Sequence, residues 1–166
     1  MIATPICDFV HAYAAKAPVR LHMPGHKGVG PLGVEALDIT EIDGAGELYA
    51  ADGIVAESEA NASALFSAPT FYSAGGSSLA IRAMLLLGLE YTGGVEGATV
   101  LAGRNAHRAF ISAAALLGFG VEWLYPSGDA GYHSCDVTAR DVEAALDTMG
   151  GRCRIVYLTR DRKSVV

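Results

Sequence analysis

A glycine turn followed by two serines carries the sharpest chemical signal in the sequence. Gly75 and Gly76 follow a short aromatic run, and a strongly apolar stretch begins just after the serines. Glycines allow a tight turn at the end of a strand, and the free N–H groups of the next helical turn then point at one spot. With the hydroxyls of Ser77 and Ser78, this spot suits a phosphate group. The alternative is that Ser77 is simply the capping residue of the helix.

Nucleotide binding is the weaker interpretation of this phosphate site. No Gly-Lys-Ser/Thr follows the glycines, so the turn is not a Walker loop, and it does not match Gly-x-Gly-x-x-Gly either.

His107 is the second residue with a chemical role in this pattern. It opens a predicted helix just after a strand predicted over residues 99–102. The carboxyl ends of parallel strands meet at one edge of a sheet, so this ring is expected at the same edge as the glycine turn. A flat ring beside a phosphate site fits a phosphorylated aromatic cofactor. A solvated or helix-capping histidine is the alternative.

Neither the histidines nor the cysteines indicate a metal site. His22 and His26 have the spacing of a zinc-binding helix. A proline and a glycine lie between them, and Lys27 follows, so we expect a loop over residues 21–31 instead of a helix. The three cysteines form no Cys-x-x-Cys pair, which predicts neither a zinc site nor a disulfide framework.

The composition indicates one ordinary domain. The chain has 166 residues, of which 51% are hydrophobic and 18% are charged, and its mean hydropathy is +0.31. No apolar stretch reaches the roughly 18 residues that cross a bilayer, and no secretory signal is evident, so we expect a cytoplasmic protein without a membrane partner. The net charge of −6 argues against a nucleic-acid partner, because phosphate backbones are bound by clustered Lys and Arg.

Strands and helices alternate along the second part of the chain. Helices are predicted over residues 4–17, from residue 53, over 77–89, over 107–117 and after residue 138. Short strands are predicted over residues 70–73, 99–102, 121–125 and 154–159. Thr138 and Asp141 have the spacing of a capping box. This alternation favours parallel strands joined by right-handed crossovers, so the predicted fold class is α/β.

Five short motifs follow one another in a characteristic order. They lie at residues 22–28 (His-Met-Pro-Gly-His-Lys-Gly), 38–42, 53–57, 76–78 (Gly-Ser-Ser) and 104–107 (Arg-Asn-Ala-His). In this order they resemble the Orn/Lys/Arg decarboxylase family, whose members are pyridoxal-phosphate (PLP) enzymes of the aspartate aminotransferase fold. The resemblance covers residues 20–159.

The resemblance implies roles for four positions. Gly76, Ser77 and Ser78 would hold the cofactor phosphate. His107 would stack on the pyridine ring, and Arg108 stands where the family commonly has a lysine, a change that should leave the stacking intact. In the family, the Asp that faces the pyridine nitrogen and the Lys that forms the Schiff base come later in the chain. No catalytic residue is therefore expected here.

The lysines of the chain do not replace the missing one. They are Lys16, Lys27 and Lys163. Lys27 belongs to a loop that lies far upstream of the catalytic lysine in the family, and Lys16 lies on a predicted terminal helix. Because the covalent cofactor imine needs such a lysine, the chain by itself is expected to be inactive.

The resemblance also implies a division of the chain. Residues 1–52 would form an N-terminal arm with loops. Residues 53–159 would form the first half of a three-layer PLP-binding large domain with a mainly parallel sheet, truncated after about the fourth strand. We expect residues 160–166 to be a non-native tail, with a genuine divergent terminus as the alternative. Because the first strand of this fold lies away from the next three, we expect exposed apolar faces and a marginal or insoluble chain.

The implied parent protein is a lyase. It would decarboxylate arginine, lysine or ornithine to a polyamine-type amine, as a homodimer or a larger assembly. Two alternatives stay open: another fold-type I PLP enzyme, such as an aminotransferase or an aldolase, and a non-enzymatic binding module.

Overall fold

The structure, a computed structural model, describes residues 3–50, 52–126 and 135–159. The chain forms two compact units, residues 1–72 and residues 73–166, which are called unit 1 and unit 2 below. The tail predicted over residues 160–166 lies outside the described residues.

The described part of unit 1 contains two helices and one turn of 3-10 helix. Helix α1 spans Pro5–Ala15, the 3-10 turn spans Glu35–Leu37, and helix α2 spans Gly53–Phe66. Proline is favoured in the first helical turn because its missing N–H has no partner there in any case. The predicted helices over residues 4–17 and from residue 53 are thus confirmed.

Unit 2 contains three helices and three strands in its described part. They are α3 (Gly76–Tyr91), β1 (Thr99–Gly103), α4 (Arg108–Leu117), β2 (Gly120–Leu124), α5 (Ala139–Met149) and β3 (Cys153–Tyr157). The strands lie in the order β2-β1-β3 and all run parallel. Thr138 forms the predicted capping box with Asp141 at the start of α5. The α/β class is confirmed, with a small three-stranded sheet.

The central strand β1 is buried on both faces. Val100, Leu101 and Ala102 have no exposed surface. Val100 and Ala102 pack with Phe110 of α4 in one core, whereas Leu101 packs with Met149 of α5 in the other. Since successive side chains of a strand point to opposite faces, these two cores require helices on both sides of the sheet. Unit 2 therefore has three layers.

The strand predicted over residues 70–73 is wrong. In the described part of the chain, this segment pairs with no strand. Its backbone N–H groups bond to side chains of α2 instead: Thr70 donates to Ser63 Oγ at 2.8 Å, and Tyr72 donates to Glu59 Oε1 at 2.7 Å. Aromatic and β-branched residues favour a strand only where a neighbouring strand supplies the ladder. The sheet has three strands among the described residues, where four were predicted.

Large apolar side chains remain exposed on unit 2. On α3, Leu87 is 69% exposed and Tyr91 is 93% exposed. Val156 and Leu158, in and just after the edge strand β3, are also exposed. An apolar patch beside an unpaired strand edge favours association. Among the described residues, no helix has both the length and the apolar composition that a bilayer crossing needs.

Replacing Phe110 by alanine should destabilise unit 2 strongly. The ring is fully buried, and Phe→Ala changes in a core cost about 3–5 kcal/mol. Urea unfolding followed by the emission of Trp123, the only tryptophan, measures this loss. Leu116→Ala is the control, because Leu116 lies on the same helix and is 70% exposed. An equal loss in both variants would contradict the assigned core.

The exposed face of α3 should make the chain self-associate. Replacing Leu87 and Tyr91 together by lysine is expected to raise the monomer fraction, because it removes apolar surface and places positive charge near the helix C-terminus. Sedimentation velocity over a range of protein concentrations measures that fraction. Leu85→Lys, at a buried position of the same helix, should instead unfold unit 2. A wild-type chain that is monomeric at every concentration would refute the prediction.

Candidate functional site

The start of α3 and the start of α4 lie at the same edge of the sheet. The second half of α3 lies beside the beginning of β3, where the Arg154 guanidinium donates to the carbonyl of Thr92 at 2.7 Å. A Cβ atom on Gly88 would come within 2.8 Å of Ile155. The helix therefore begins at the opposite edge, where the parallel strands end. This edge is called the carboxyl edge below.

The first turn of α3 has no side-chain cap. Gly75 occupies the N-cap position, and no side chain accepts a hydrogen bond from the first-turn N–H groups. Ser77 lies inside the first turn, so the alternative that it caps the helix is wrong. Gly76 has a φ of +63°, a conformation that favours glycine, and open space where a side chain would stand. Ser77 is exposed and Ser78 is half-buried, so this turn can accept an anion.

His107 caps α4, as one of the two sequence interpretations predicted. Its Nδ1 accepts a hydrogen bond from the backbone N–H of Ala109 at 3.1 Å. With Nδ1 acting as acceptor, the neutral ring carries its proton on Nε2. The cap holds the exposed ring at the carboxyl edge, where a face of the imidazole is available for stacking. Stacking on a cofactor ring stays a prediction.

Arg104, the first residue of the 104–107 motif, is held in place by an aromatic ring. The guanidinium of Arg104 lies 5.1 Å from the centre of the Trp123 ring. The backbone N–H of Arg104 donates to the carbonyl of Leu124 at 3.0 Å. A cation over the face of a tryptophan ring is attracted to it. Arg104 therefore ties the end of β1 to β2.

In unit 1, the two histidines of the 22–28 motif serve the loop itself. The Tyr13 hydroxyl donates to His22 Nε2 at 2.7 Å, and His22 Nδ1 donates to the carbonyl of Met23. His26 Nδ1 accepts from the N–H of Gly28 at 3.0 Å, and its Nε2 bonds to an Asp38 carboxylate oxygen at 3.0 Å. Both rings thus act as structural bridges. The described residues contain no group of three or more His, Cys, Asp or Glu side chains that could hold a metal.

Arg20 holds the same loop together through hydrogen bonds from its buried guanidinium. Only 8% of its surface is exposed, and its guanidinium donates to the backbone carbonyls of Glu35, Ala36 and Asp38. A Cβ atom on Gly28 would come within 2.8 Å of this guanidinium, and Gly28 also has a φ of +83°. Only glycine meets both demands. The motif glycine is therefore explained by packing.

Glu35 closes the loop through its carboxylate. Its Oε1 accepts the backbone N–H of Leu32 at 2.8 Å. The pKa of Glu35 lies below 4.5, and the bond from Leu32 is the largest cause, followed by the N–H of Glu35 itself. The N–H of Gly33 and the nearby His26 lower it to a lesser extent, whereas burial opposes the shift.

The depressed pKa of Glu35 predicts a pH dependence. A carboxyl with a lowered folded pKa stabilises the fold above its unfolded value of 4.5, and the stabilisation is lost as the pH falls through the folded value. The amide shift of Leu32, followed by NMR, should therefore titrate with a midpoint below 4.5. Glu35→Gln should abolish this titration, and Glu57→Gln, at an exposed position, should leave it unchanged. A midpoint at or above the unfolded value would contradict the prediction.

The chain is related to proteins named arginine decarboxylase. It is 33% identical over 156 residues to that of Halalkalibacterium halodurans, in an alignment that covers 87% of this chain and 31% of the relative. It is 30% identical over 159 residues to that of Bacillus anthracis, over 87% of this chain and 31% of the relative. The chain spans about a third of the length of these curated relatives. No protein-family model matches it.

The fold is similar to that of a constitutive lysine decarboxylase of E. coli. The TM-score is 0.62 at 19% identity, over 89% of this chain and 23% of that one. This likeness shows a shared fold. The arginine decarboxylases confirm the predicted relationship to decarboxylases of basic amino acids.

Proposed function

We propose that this chain is part of a PLP-dependent decarboxylase of a basic amino acid, namely arginine, lysine or ornithine. The parent protein would be a lyase that releases carbon dioxide and a polyamine-type amine. One observation carries the proposal: the uncapped first turn of α3, with Gly76 and two serines, begins at the same carboxyl edge as His107. The arginine decarboxylases among the relatives support it.

The first turn of α3 is suited to hold the cofactor phosphate. Its N–H groups have no side-chain partner, and the positive end of the helix dipole favours a dianion. The hydroxyls of Ser77 and Ser78 can add two hydrogen bonds to a charged group, which are stronger than bonds between neutral groups. Gly76 lets phosphate oxygens approach the backbone, because no side chain stands there.

His107 is suited to orient the ring of the cofactor. Its hydrogen bond to Ala109 fixes one edge of the imidazole at the helix start. Aromatic rings prefer offset stacking or edge-to-face contact, so a fixed ring at this edge restricts the plane of a bound pyridine. PLP, when bound, would supply the electron sink that stabilises the charge left by the departing carboxylate.

The reactive lysine is proposed to come from another part of the parent protein. Lys27 is tied to the loop of unit 1, where its Nζ donates to the carbonyl of His22 at 2.6 Å. Lys163 lies outside the described residues. The relatives are about three times as long as the part matched here, which leaves room for that lysine and for the aspartate. A homodimer or larger assembly and a cytoplasmic location complete the proposal.

Replacing Ser77 and Ser78 together by alanine should weaken cofactor binding at least about a hundredfold, because each of the two lost bonds to a charged group is worth roughly 1.5–3 kcal/mol. The affinity of the chain for pyridoxine 5′-phosphate, which has no aldehyde, is measured by calorimetry. Thr148→Ala, at an exposed position of α5, is the control. His107→Ala should weaken the binding of both this ligand and pyridoxine.

The proposed reaction is tested on the full-length parent. Release of carbon dioxide from arginine, lysine or ornithine is expected, and it should fall in the Ser77/Ser78 variant. A phosphate affinity that does not depend on the two serines, or a parent that transfers amino groups without decarboxylation, would overturn the proposal.

A further inference from the structure

Helix α3 is apolar on nearly every side. Its sixteen residues include only two charged side chains, Arg82 and Glu90. A helix with this composition is normally buried all round. Two of its leucines point into the core, whereas Leu79 and Leu86 remain 39% and 38% exposed. Another surface is therefore needed to cover the helix.

Five residues form one stripe along α3, called the α3 stripe below. Residues three or four positions apart lie on the same side of a helix. The stripe consists of Leu79, Arg82, Ala83, Leu86 and Glu90. Met84, Gly88 and Tyr91 line a groove beside β3, which places the α3 stripe on the other flank of the helix, away from this strand.

The two charges of the α3 stripe have no ion-pair partner in the described part of the chain. The only ion pair there joins His26 and Asp38, and the buried Nε of Arg82 has no hydrogen-bond partner. Glu90 follows Arg82 by eight positions, or about 12 Å of helix, so the two side chains of one copy do not pair with each other. A half-buried guanidinium with an unpaired Nε calls for an acceptor from outside.

The positions of the two charges are complementary to a second copy of the same helix. Leu86 lies four residues from each of them. When two copies of α3 cross antiparallel at Leu86, each Arg82 lies opposite the Glu90 of the other copy. Glu90 also lies in the last turn, where the negative end of the helix disfavours a carboxylate and a guanidinium is favoured. A parallel pair would instead bring like charges together.

We propose that the α3 stripe binds a second copy of this chain as an antiparallel helix pair. Two reciprocal ion pairs between Arg82 and Glu90 flank a contact between the two Leu86 side chains. Burial of the leucines supplies the attraction, and the charges set the orientation and the choice of partner. This inference goes beyond the proposed function, because it names a surface and does not involve the reaction.

Reversal of either charge tests the pairing. Arg82→Glu and Glu90→Arg should each weaken the dimer of the 166-residue chain at least about tenfold, because each change places like charges opposite each other twice. Sedimentation equilibrium measures the dissociation constant. The matched controls are Arg140→Glu and Glu143→Arg, at exposed positions of α5, and they should leave the constant unchanged.

An equimolar mixture of the two α3 variants should dimerise with about the affinity of the wild-type chain. One copy then carries two carboxylates in its α3 stripe and the other carries two guanidiniums, so both contacts join opposite charges. Neither chain is repaired by itself, so recovery in the mixture requires contact between two copies. A mixture that stays monomeric, or single variants that dimerise like the wild type, would overturn the proposal.

Disulfide formation tests the crossing point without changing a charge. Leu86→Cys should link two copies through position 86 under mild oxidation, because the two-fold axis brings this position together. Tyr91→Cys, at a more exposed position, should not link to itself, because the two copies of position 91 lie about 15 Å apart along an antiparallel pair. Mass spectrometry identifies the linked peptides, and Trp123 emission verifies that each variant is folded. Linkage through position 91 but not through position 86 would refute the antiparallel pair.

These outcomes are separate from the proposed reaction. Assembly is the readout, and none of the substituted residues is assigned to the cofactor. Recovery of the dimer in the mixture, together with a parent that releases no carbon dioxide, keeps the inference and removes the reaction. A parent that releases carbon dioxide, together with a chain whose assembly ignores both charge reversals, keeps the reaction and removes the inference.

Discussion

The aromatic ring of Phe110 holds the larger unit together. It has no exposed surface, and it lies 4.6 Å from the ring of Tyr157, 5.8 Å from that of Phe119 and 5.9 Å from that of Trp123, between ring centres. One side chain of α4 thus contacts both edge strands and the residue just before β2. A three-stranded sheet of five-residue strands has little stability of its own, so this aromatic packing must hold helix and sheet in register.

The chemistry of the carboxyl edge depends on that packing. Because α4 is fixed on the sheet, the imidazole that caps it has a fixed place at the strand ends. Because α3 packs on the same face, its uncapped first turn begins at the same edge. The residues proposed to bind the cofactor lie at these helix starts, and such residues need a rigid scaffold behind them. The buried strand β1 supplies this scaffold, because β2 and β3 pair with it in parallel on either side.

The smaller unit is organised differently, around a cation. Arg20 is buried against the Tyr13 ring, 5.0 Å from its centre, and donates to three backbone carbonyls in and just after the 3-10 turn. A buried guanidinium is tolerated when its donors find acceptors, and here the acceptors are peptide oxygens. The histidines of the 22–28 motif then complete a network of side-chain bonds to backbone. The bonds of this motif are therefore part of the architecture of unit 1.

The sequence by itself determined the α/β class, the helix starts and the glycine turn before Ser77, because local patterns of apolar residues and glycines control these features. It also predicted His107 as a capping or stacking residue, but only the structure shows the cap. Tertiary structure decided the rest. Residues 70–73 have the composition of a strand, yet side chains of α2 accept hydrogen bonds from their backbone N–H groups. A strand needs a neighbouring strand, and the local sequence does not specify one. The cavity that Gly103 and Thr159 line likewise depends on strand order, because these two residues meet only after β3 has returned beside β1.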